Sequence, residues 1–363
     1  MRVLALVTDA YGGGGGIAQA NRDLFEAMVK LDPNNNVVVY PRFGNAKNSA
    51  NVPGGVIQQG ACGNKILYSL NVLSLFPPRN YYDFIFCGHL FMAPLAQLLS
   101  WKLGVPYWIH IHGIEAWKKP GKAVARSVES ARLITSVSRY TRREFLGWAD
   151  IDPQKVCVLP NTVNQRFSPG NRSDELIARY GLQGKRILLT VGRISEKERY
   201  KGHDRVISAL APIAKIYPDL LYVIAGDGDD RPRLEKLSRD LQVEDRVKFI
   251  GPPSEQDLLD LYRSADVFVM PSTGEGFGIV FLEAAMSGLP VIGGSVDGSW
   301  DALREGRVGY SVNPLRPAEL RAAIIEALES PKKPHIESAQ FFCKSNYFNY
   351  LKRIIESRFF MRL

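Results

Sequence analysis

Two carboxylates, Glu275 and Glu283, bracket a glycine loop in the stretch Pro271-Ser272-Thr273-Gly274-Glu275-Gly276-Phe277-Gly278-Ile279. A β-rich run, Asp266-Val267-Phe268-Val269-Met270, precedes it, and a helix former, Leu282-Glu283-Ala284-Ala285-Met286, follows. Strand, glycine loop and helix in that order aim backbone N–H groups from a helix N-terminus, an arrangement that binds anions. A carboxylate beside a bound phosphate is repelled by it, so these two read better as acceptors for hydroxyl hydrogen bonds. A phosphate cradle between two hydroxyl acceptors points to a sugar nucleotide. Arg193 follows another apolar run, Ile187-Leu188-Leu189-Thr190-Val191, and Lys201 lies eight residues further on. Each alone reads as a surface cation. Beside the glycine loop the pair would complete a diphosphate site and stabilise charge developing on a leaving group.

The first half has its own glycine run, Gly12 to Gly16, directly after an apolar strand. Glycine lets backbone approach a ligand closely. Gly13-x-Gly15-x-x-Ala18 meets the loose dinucleotide fingerprint, but the next strand, Val37-Val38-Val39-Tyr40, ends in Pro41-Arg42 with no acid for a ribose. An adapted substrate loop is the better reading; a flexible turn is the plain one. His89 and His112 also end strand-like runs. A lone histidine is commonly structural, yet three features at the same edge of one sheet favour a site, because parallel sheets bind ligands at their strand C-termini. Asp227-Gly228-Asp229 could hold a metal, but a glycine turn leaving a buried strand accounts for it equally well, and no other ligand cluster supports one.

These residues have to be positioned by a chain of 363 residues, which suits two domains. Strand-like runs alternate with helix-like ones throughout, as in α/β folds with parallel sheets. One alternation occupies residues 1–163. Pro169-Gly170-Asn171 marks a linker, a second alternation fills residues 164–335, and a basic, aromatic helix is expected over 336–360. The four cysteines are scattered, with no metal spacing, and read as reduced thiols in a cytoplasmic protein. Residues 84–101 come nearest to a membrane span, but Gly88-His89, Pro94 and Gln97 interrupt them, so they read as strand, loop and helix.

Charge is uneven. Residues 1–160 hold seventeen Lys and Arg against ten acids, residues 161–330 twenty-two against twenty-five, and residues 331–363 seven against two. The segment from Trp117 to Trp148 is rich in Lys and Arg, including Lys118, Lys119 and Lys122, with Phe145 among them. It reads either as a solvated helix face or as a surface for anionic lipid or an anionic acceptor. Nucleic acid is a poorer partner, since no recognition motif accompanies the charge.

Taken together, these motifs resemble the retaining glycosyltransferases of family 4, which have the GT-B architecture. Glu275 and Glu283 fit the family's E-x7-E signature. Gly15-Gly16-Ile17-Ala18 is similar to its N-terminal double glycine, His112-Gly113 to its His-Gly, and Val158-Leu159-Pro160-Asn161 to its domain-joining segment. Gly192-Arg193 with Lys201-Gly202 resembles its diphosphate pair, and Ser287-Gly288-Leu289-Pro290-Val291 its following helix end. The resemblance implies two Rossmann-like domains facing a cleft, acceptor on the first and donor on the second, with the last helix crossing back to the first domain. It implies no metal and no cofactor beyond the donor, a nucleotide-diphosphate sugar (UDP- or GDP-sugar). Glu275 would hold a donor-sugar hydroxyl and Glu283 the ribose. The N–H groups of Phe277, Gly278 and Ile279 would meet sugar and phosphates, Gly16 the diphosphate, and His112 the reacting sugar. The base would rest near Phe249 to Gly251. One loop departs from the family: Gly298-Ser299-Trp300-Asp301 stands where a double glycine and a glutamate are usual, which opens the identity of the donor.

The expected protein is thus a retaining hexosyltransferase extending a lipid-linked saccharide of a cell-surface polysaccharide, cytoplasmic and peripheral at the inner membrane face. Three rivals are weighed against it. An NAD-dependent oxidoreductase leaves Glu275, Glu283, Arg193 and Lys201 without a role, and a non-catalytic binding module leaves an intact set of polar groups unused. A nucleotide-sugar epimerase of the same architecture would isomerise the donor without an acceptor.

Overall fold

The structure, a computed structural model, describes residues 1–44, 52–75, 77–330 and 335–360. The chain forms two compact units, Met1–Thr162 with Ser345–Leu363, and Val163–Lys344.

The first unit is built on seven strands: β1 (Arg2–Val7), β2 (Asn36–Pro41), β3 (Val56–Gln58), β4 (Phe84–Cys87), β5 (Tyr107–Ile111), β6 (Leu133–Ser136) and β7 (Val156–Val158). All pair in parallel, in the order β3-β2-β1-β4-β5-β6-β7. Strands covered on both faces must be apolar at every position. In β1, Leu4 and Leu6 enter the core on one face while Val3, Ala5 and Val7 enter the core on the other. Helices Lys65–Leu73 and Ala93–Leu103 cover the first face, and helix Gly16–Leu31 covers the second.

The second unit has six parallel strands: β8 (Arg186–Val191), β9 (Leu220–Ala225), β10 (Val247–Gly251), β11 (Val267–Met270), β12 (Val291–Gly294) and β13 (Tyr310–Val312). Their order is β10-β9-β8-β11-β12-β13. In each sheet the chain lays strands outward in one direction and then turns to the other side. The reversal falls between β1 and β4 in the first sheet and between β8 and β11 in the second. Loops leaving the C-terminal ends of such neighbouring strands diverge and leave a crevice, where α/β sheets hold ligands.

Three expectations need correction. The basic stretch 117–148 is not one helical face: β6 runs through its middle, between helices Lys122–Glu129 and Arg139–Leu146. Its aromatics turn inward. Phe145 is fully buried, the Trp148 indole donates to the Ala116 carbonyl at 2.7 Å, and the Trp117 indole donates to Thr141 at 3.2 Å. The segment 164–173 is not a loose linker but is pinned within the second unit, where Arg166 pairs with Glu255 at 2.5 Å, Arg172 pairs with Asp266, and Arg263 donates to the Ser168 carbonyl at 3.0 Å. The tail is not one helix either. Ile336–Ala339 and a 3-10 turn, Gln340–Phe342, end at Cys343, whose backbone is extended, and a new helix, Lys344–Ile355, follows. Leu351, Ile354 and Ile355 of that helix lie in the first unit's core, and Phe359 stacks on Phe84 at 4.4 Å.

Candidate active site

At the β8/β11 reversal two loops meet. The loop after β8 carries Gly192-Arg193 and a 3-10 segment, Glu196–Lys201; the loop after β11 runs from Pro271 to Gly278. They are interlocked. Gly202 has φ +81°, and a Cβ there would sit 2.5 Å from the Pro271 carbonyl oxygen. Tyr200 lies where a Cβ at Gly274 would have to go, and the Thr273 N–H donates to the Tyr200 carbonyl at 2.9 Å.

This meeting brings Arg193, Lys201 and Glu275 into one cluster around a residue that sequence reasoning missed, Glu198. Its carboxylate binds both cations, Lys201 Nζ at 2.7 Å and the Arg193 guanidinium with its other oxygen. Lys201 is 11% exposed and Arg193 79%, so one cation is fixed in the wall while the other reaches solvent. Burial pushes the Glu275 carboxyl up to about 7. Lys201 and Arg193 pull it down, and the carboxylates of Asp297 and Glu198 push it further up.

Asp297 holds the glycine loop in shape. This fully buried carboxylate accepts from the Ser272 hydroxyl and the Glu275 N–H, each at 2.7 Å, and from the Ser299 N–H at 3.0 Å. It therefore fixes the Glu275 backbone. Gly298 beside it has no room for a side chain, since a Cβ would lie 2.0 Å from the Gly276 carbonyl oxygen. So the loop that departs from the family pattern closes directly over the E-x7-E stretch.

Beyond Glu275 the chain enters helix Ile279–Met286 through Gly278, at φ +85°, and no side chain among the described residues caps this end. The Phe277 ring is buried edge-on to Phe342 at 5.5 Å, leaving its backbone for any ligand. Glu283, within the helix, accepts from the Tyr262 hydroxyl at 2.8 Å. Near β10, Arg231 covers the Phe249 ring at 5.2 Å, a cation against the aromatic face where the base is expected. The Asp-x-Asp is otherwise engaged: Asp227 accepts from the Gly228 N–H at 2.9 Å and lies 3.8 Å from the Arg231 guanidinium, and Asp229 accepts from the Glu196 N–H at 2.8 Å; the next acid, Asp230, binds Arg199 and Arg233. Gly226 and Gly228 are needed there, because Cβ atoms would lie 1.9 and 2.2 Å from the carbonyl oxygens of Gly192 and Ile194. Among the described residues no three His, Cys, Asp or Glu cluster as metal ligands.

In the first unit, the β1/β4 reversal gathers the other predicted residues. Gly15 caps helix Gly16–Leu31 with φ +92° and open space around it. Arg22 donates back to the carbonyls of Ala10 and Gly13, at 2.7 and 2.9 Å, and buried Asn21 donates to the Asp9 carbonyl at 2.8 Å, which tie the glycine run to its helix. After β4 come Gly88 and His89; after β5 comes His112. His112 Nε2 lies 3.0 Å from the Gly88 carbonyl oxygen, which only accepts, so Nε2 carries the hydrogen and Nδ1 keeps the lone pair. Burial lowers the pKa of His89, His110 and His112 below the ordinary imidazole value; Glu115 opposes this at His89 and His112. Lys118, Lys119 and Lys122 are exposed.

A model described as "Glycosyltransferase Family 4" matches residues 14–167, and one described as "Glycosyl transferases group 1" matches residues 173–339, so that each unit is matched. The chain belongs to the family 4-type glycosyltransferases. Among curated relatives of this family chain, the D-inositol 3-phosphate glycosyltransferase of Streptomyces scabiei is 30% identical over 70% of this chain and 62% of its own length. A GDP-mannose-dependent phosphatidylinositol monomannoside mannosyltransferase of Mycolicibacterium smegmatis is 29% identical over 58% of this chain and 56% of its own. The match thus spans less than two thirds of the length of these relatives. In three dimensions, Anabaena HepE, crystallised with UDP and glucose, aligns over 98% of this chain and all of its own, with TM-score 0.79 and 20% identity. Sucrose-phosphate synthase of Thermosynechococcus elongatus aligns over 98% of this chain and 99% of its own, with TM-score 0.78 and 20% identity. At that identity the likeness speaks for the fold: α/β, with two Rossmann-like sheets of the GT-B architecture.

Proposed function

We propose that this family 4 chain is a retaining hexosyltransferase that moves a sugar from a UDP- or GDP-sugar to a growing, lipid-linked saccharide in cell-surface or exopolysaccharide synthesis. The observation that carries the reading is the cluster at the β8/β11 reversal. There an uncapped helix start, the Arg193–Lys201 pair and a carboxyl held near neutrality meet within one set of interlocked loops. A relative dependent on GDP-mannose and a structural neighbour crystallised with UDP-glucose support a nucleotide-sugar donor.

In this reading Arg193, Lys201 and the N–H groups of Phe277, Gly278 and Ile279 take the diphosphate, and their positive charge does the work for which other transferases use magnesium. Glu275 accepts a donor-sugar hydroxyl and Glu283 the ribose hydroxyls. Gly15, Gly16 and His112 serve the first unit's side of the reaction, His112 as a neutral ring whose Nδ1 accepts a sugar hydroxyl. The bond from the anomeric carbon to the diphosphate oxygen breaks while a bond to the acceptor oxygen forms on the same face. The acceptor proton passes to the departing diphosphate, so atoms and charge balance without a protein nucleophile and without a metal. The protein would work at the cytoplasmic side of the membrane that carries its acceptor.

A thermal-shift panel of UDP-, GDP- and ADP-sugars tests the donor, because a ligand that binds only the folded state raises apparent stability by mass action. One nucleotide series is expected to shift the transition. A flat response to all three, or a shift by nicotinamide dinucleotides alone, contradicts the reading. Retention is read from the anomeric configuration of the product, and a sugar trapped covalently on any carboxylate would overturn the same-face step.

A further inference from the structure

We propose that helices Lys65–Leu73 and Ala93–Leu103 of the first unit form a docking face for an anionic lipid bilayer. Both helices press one side into the same core, through Tyr68 and Val72 on the first and Ala96 and Leu99 on the second. Lys102 of the second helix donates to the Leu73 carbonyl of the first at 2.5 Å, which holds their C-terminal ends side by side. On a surface helix the opposite side is ordinarily polar. Here it is not: Ile66 is 75% exposed, Leu70 59% and Trp101 81%, with Leu67 and Leu98 beside them. Single exposed apolar side chains are unremarkable, but a group on two adjoining helices makes a patch of the kind that marks an interaction surface.

The charge around the patch decides the occupant. The two helices contain Lys65 and Lys102 and no Asp or Glu. Helix Lys122–Glu129 packs against the second of them, Gln97 donating to Ser130 at 2.7 Å, and adds exposed Lys122 and Arg126 against one exposed acid, Glu129, with Lys118 and Lys119 just before it. Aliphatic side chains and a tryptophan rimmed by cations suit the boundary between acyl chains and anionic headgroups. A second copy of the chain suits it poorly, because a two-fold contact would set these cations against themselves. Phe91, just before the second helix, is exposed as well, and its N–H donates to His89 Nδ1 at 3.3 Å where the chain leaves β4. The acceptor end of the first unit would then open at the bilayer surface, where a lipid-linked saccharide is presented. The docking goes beyond the transfer reading and is tested without any donor or acceptor.

The experiment is flotation of the full chain with vesicles of phosphatidylcholine, alone or mixed with phosphatidylglycerol. Binding to the mixed vesicles is expected, with a blue shift of Trp101 emission that the Trp101→Ser variant lacks. Replacing Ile66, Leu67, Leu70 and Trp101 by serine should lower partition by about tenfold or more. Folding of that variant is checked by an unchanged nucleotide-dependent thermal shift and turnover on a soluble acceptor. Vesicle binding unchanged by the serine set overturns the proposal. So does a protein that is dimeric until the set is introduced and never floats. Absent flotation with the donor-induced thermal shift intact overturns the docking and leaves the transfer reading standing.

Discussion

Glu275 is a carboxyl whose surroundings oppose its charge, and that gives the donor site a pH dependence of definite sign. Burial and the carboxylates of Asp297 and Glu198 raise its pKa to about 7, against Lys201 and Arg193. A diphosphate bound to those two cations screens their pull and adds negative charge, so binding raises the pKa further and draws in a proton. Nucleotide-sugar affinity should therefore be greatest below pH 7 and weaken as pH rises through 7. Isothermal titration in buffers of different ionisation enthalpy should show proton uptake, and Glu275→Gln should remove both effects. Glu198 is argued to position the cation pair. Glu198→Gln keeps the shape but loosens both ion pairs and lowers the Glu275 pKa, so the pH profile should move to lower pH; an unmoved profile contradicts that role. The residues with fixed spacing, Glu275, Glu283, Arg193 and Lys201, were legible in the sequence because their chemistry follows from type and order. Glu198, Asp297 and Tyr262 were not. Their importance comes from partners 3 to 25 residues away in the chain, such as Lys201, Ser272 and Glu283, which only folding brings within hydrogen-bond reach.

The elements that carry these groups are held by a few close backbone approaches. At Gly298 the approach of the Gly276 carbonyl leaves space for hydrogen only. Gly298→Ala should cost about 1–3 kcal/mol by overpacking and should also weaken donor binding, as measured by denaturant unfolding and nucleotide titration. A variant of native stability and affinity would show that the loop yields freely. The alternation of strands and helices was readable because strands buried on both faces are continuous apolar runs, as in β1 and β4. Strand β6 was hidden because its four residues, Leu133-Ile134-Thr135-Ser136, stand between basic helices whose charge dominates the local pattern. The break at Cys343 was hidden as well: neither glycine nor proline marks it, and the chain turns there as it leaves the second unit.

Over the whole molecule the positive charge is gathered in the first unit, which also takes the tail from Ser345 onward. No helix among the described residues is long and apolar enough to cross a membrane. Reversing the exposed Lys118, Lys119 and Lys122 to glutamate should weaken binding to anionic vesicles and flatten its salt dependence, while nucleotide binding stays as it was; unaltered vesicle binding would remove these lysines from the account. Donor identity stayed closed to sequence reading, since the base contacts depend on loop shape around Phe249 more than on any motif. The central claim is that the β8/β11 cluster performs sugar transfer from a nucleotide diphosphate. It is tested most directly by following UDP or GDP release from the nucleotide sugar that shifts the thermal transition, for the native protein and for Glu275→Ala. The account predicts release by the native protein and a loss of about a hundredfold or more in the variant, with the nucleotide-dependent thermal shift retained. Equal turnover by the variant would contradict it.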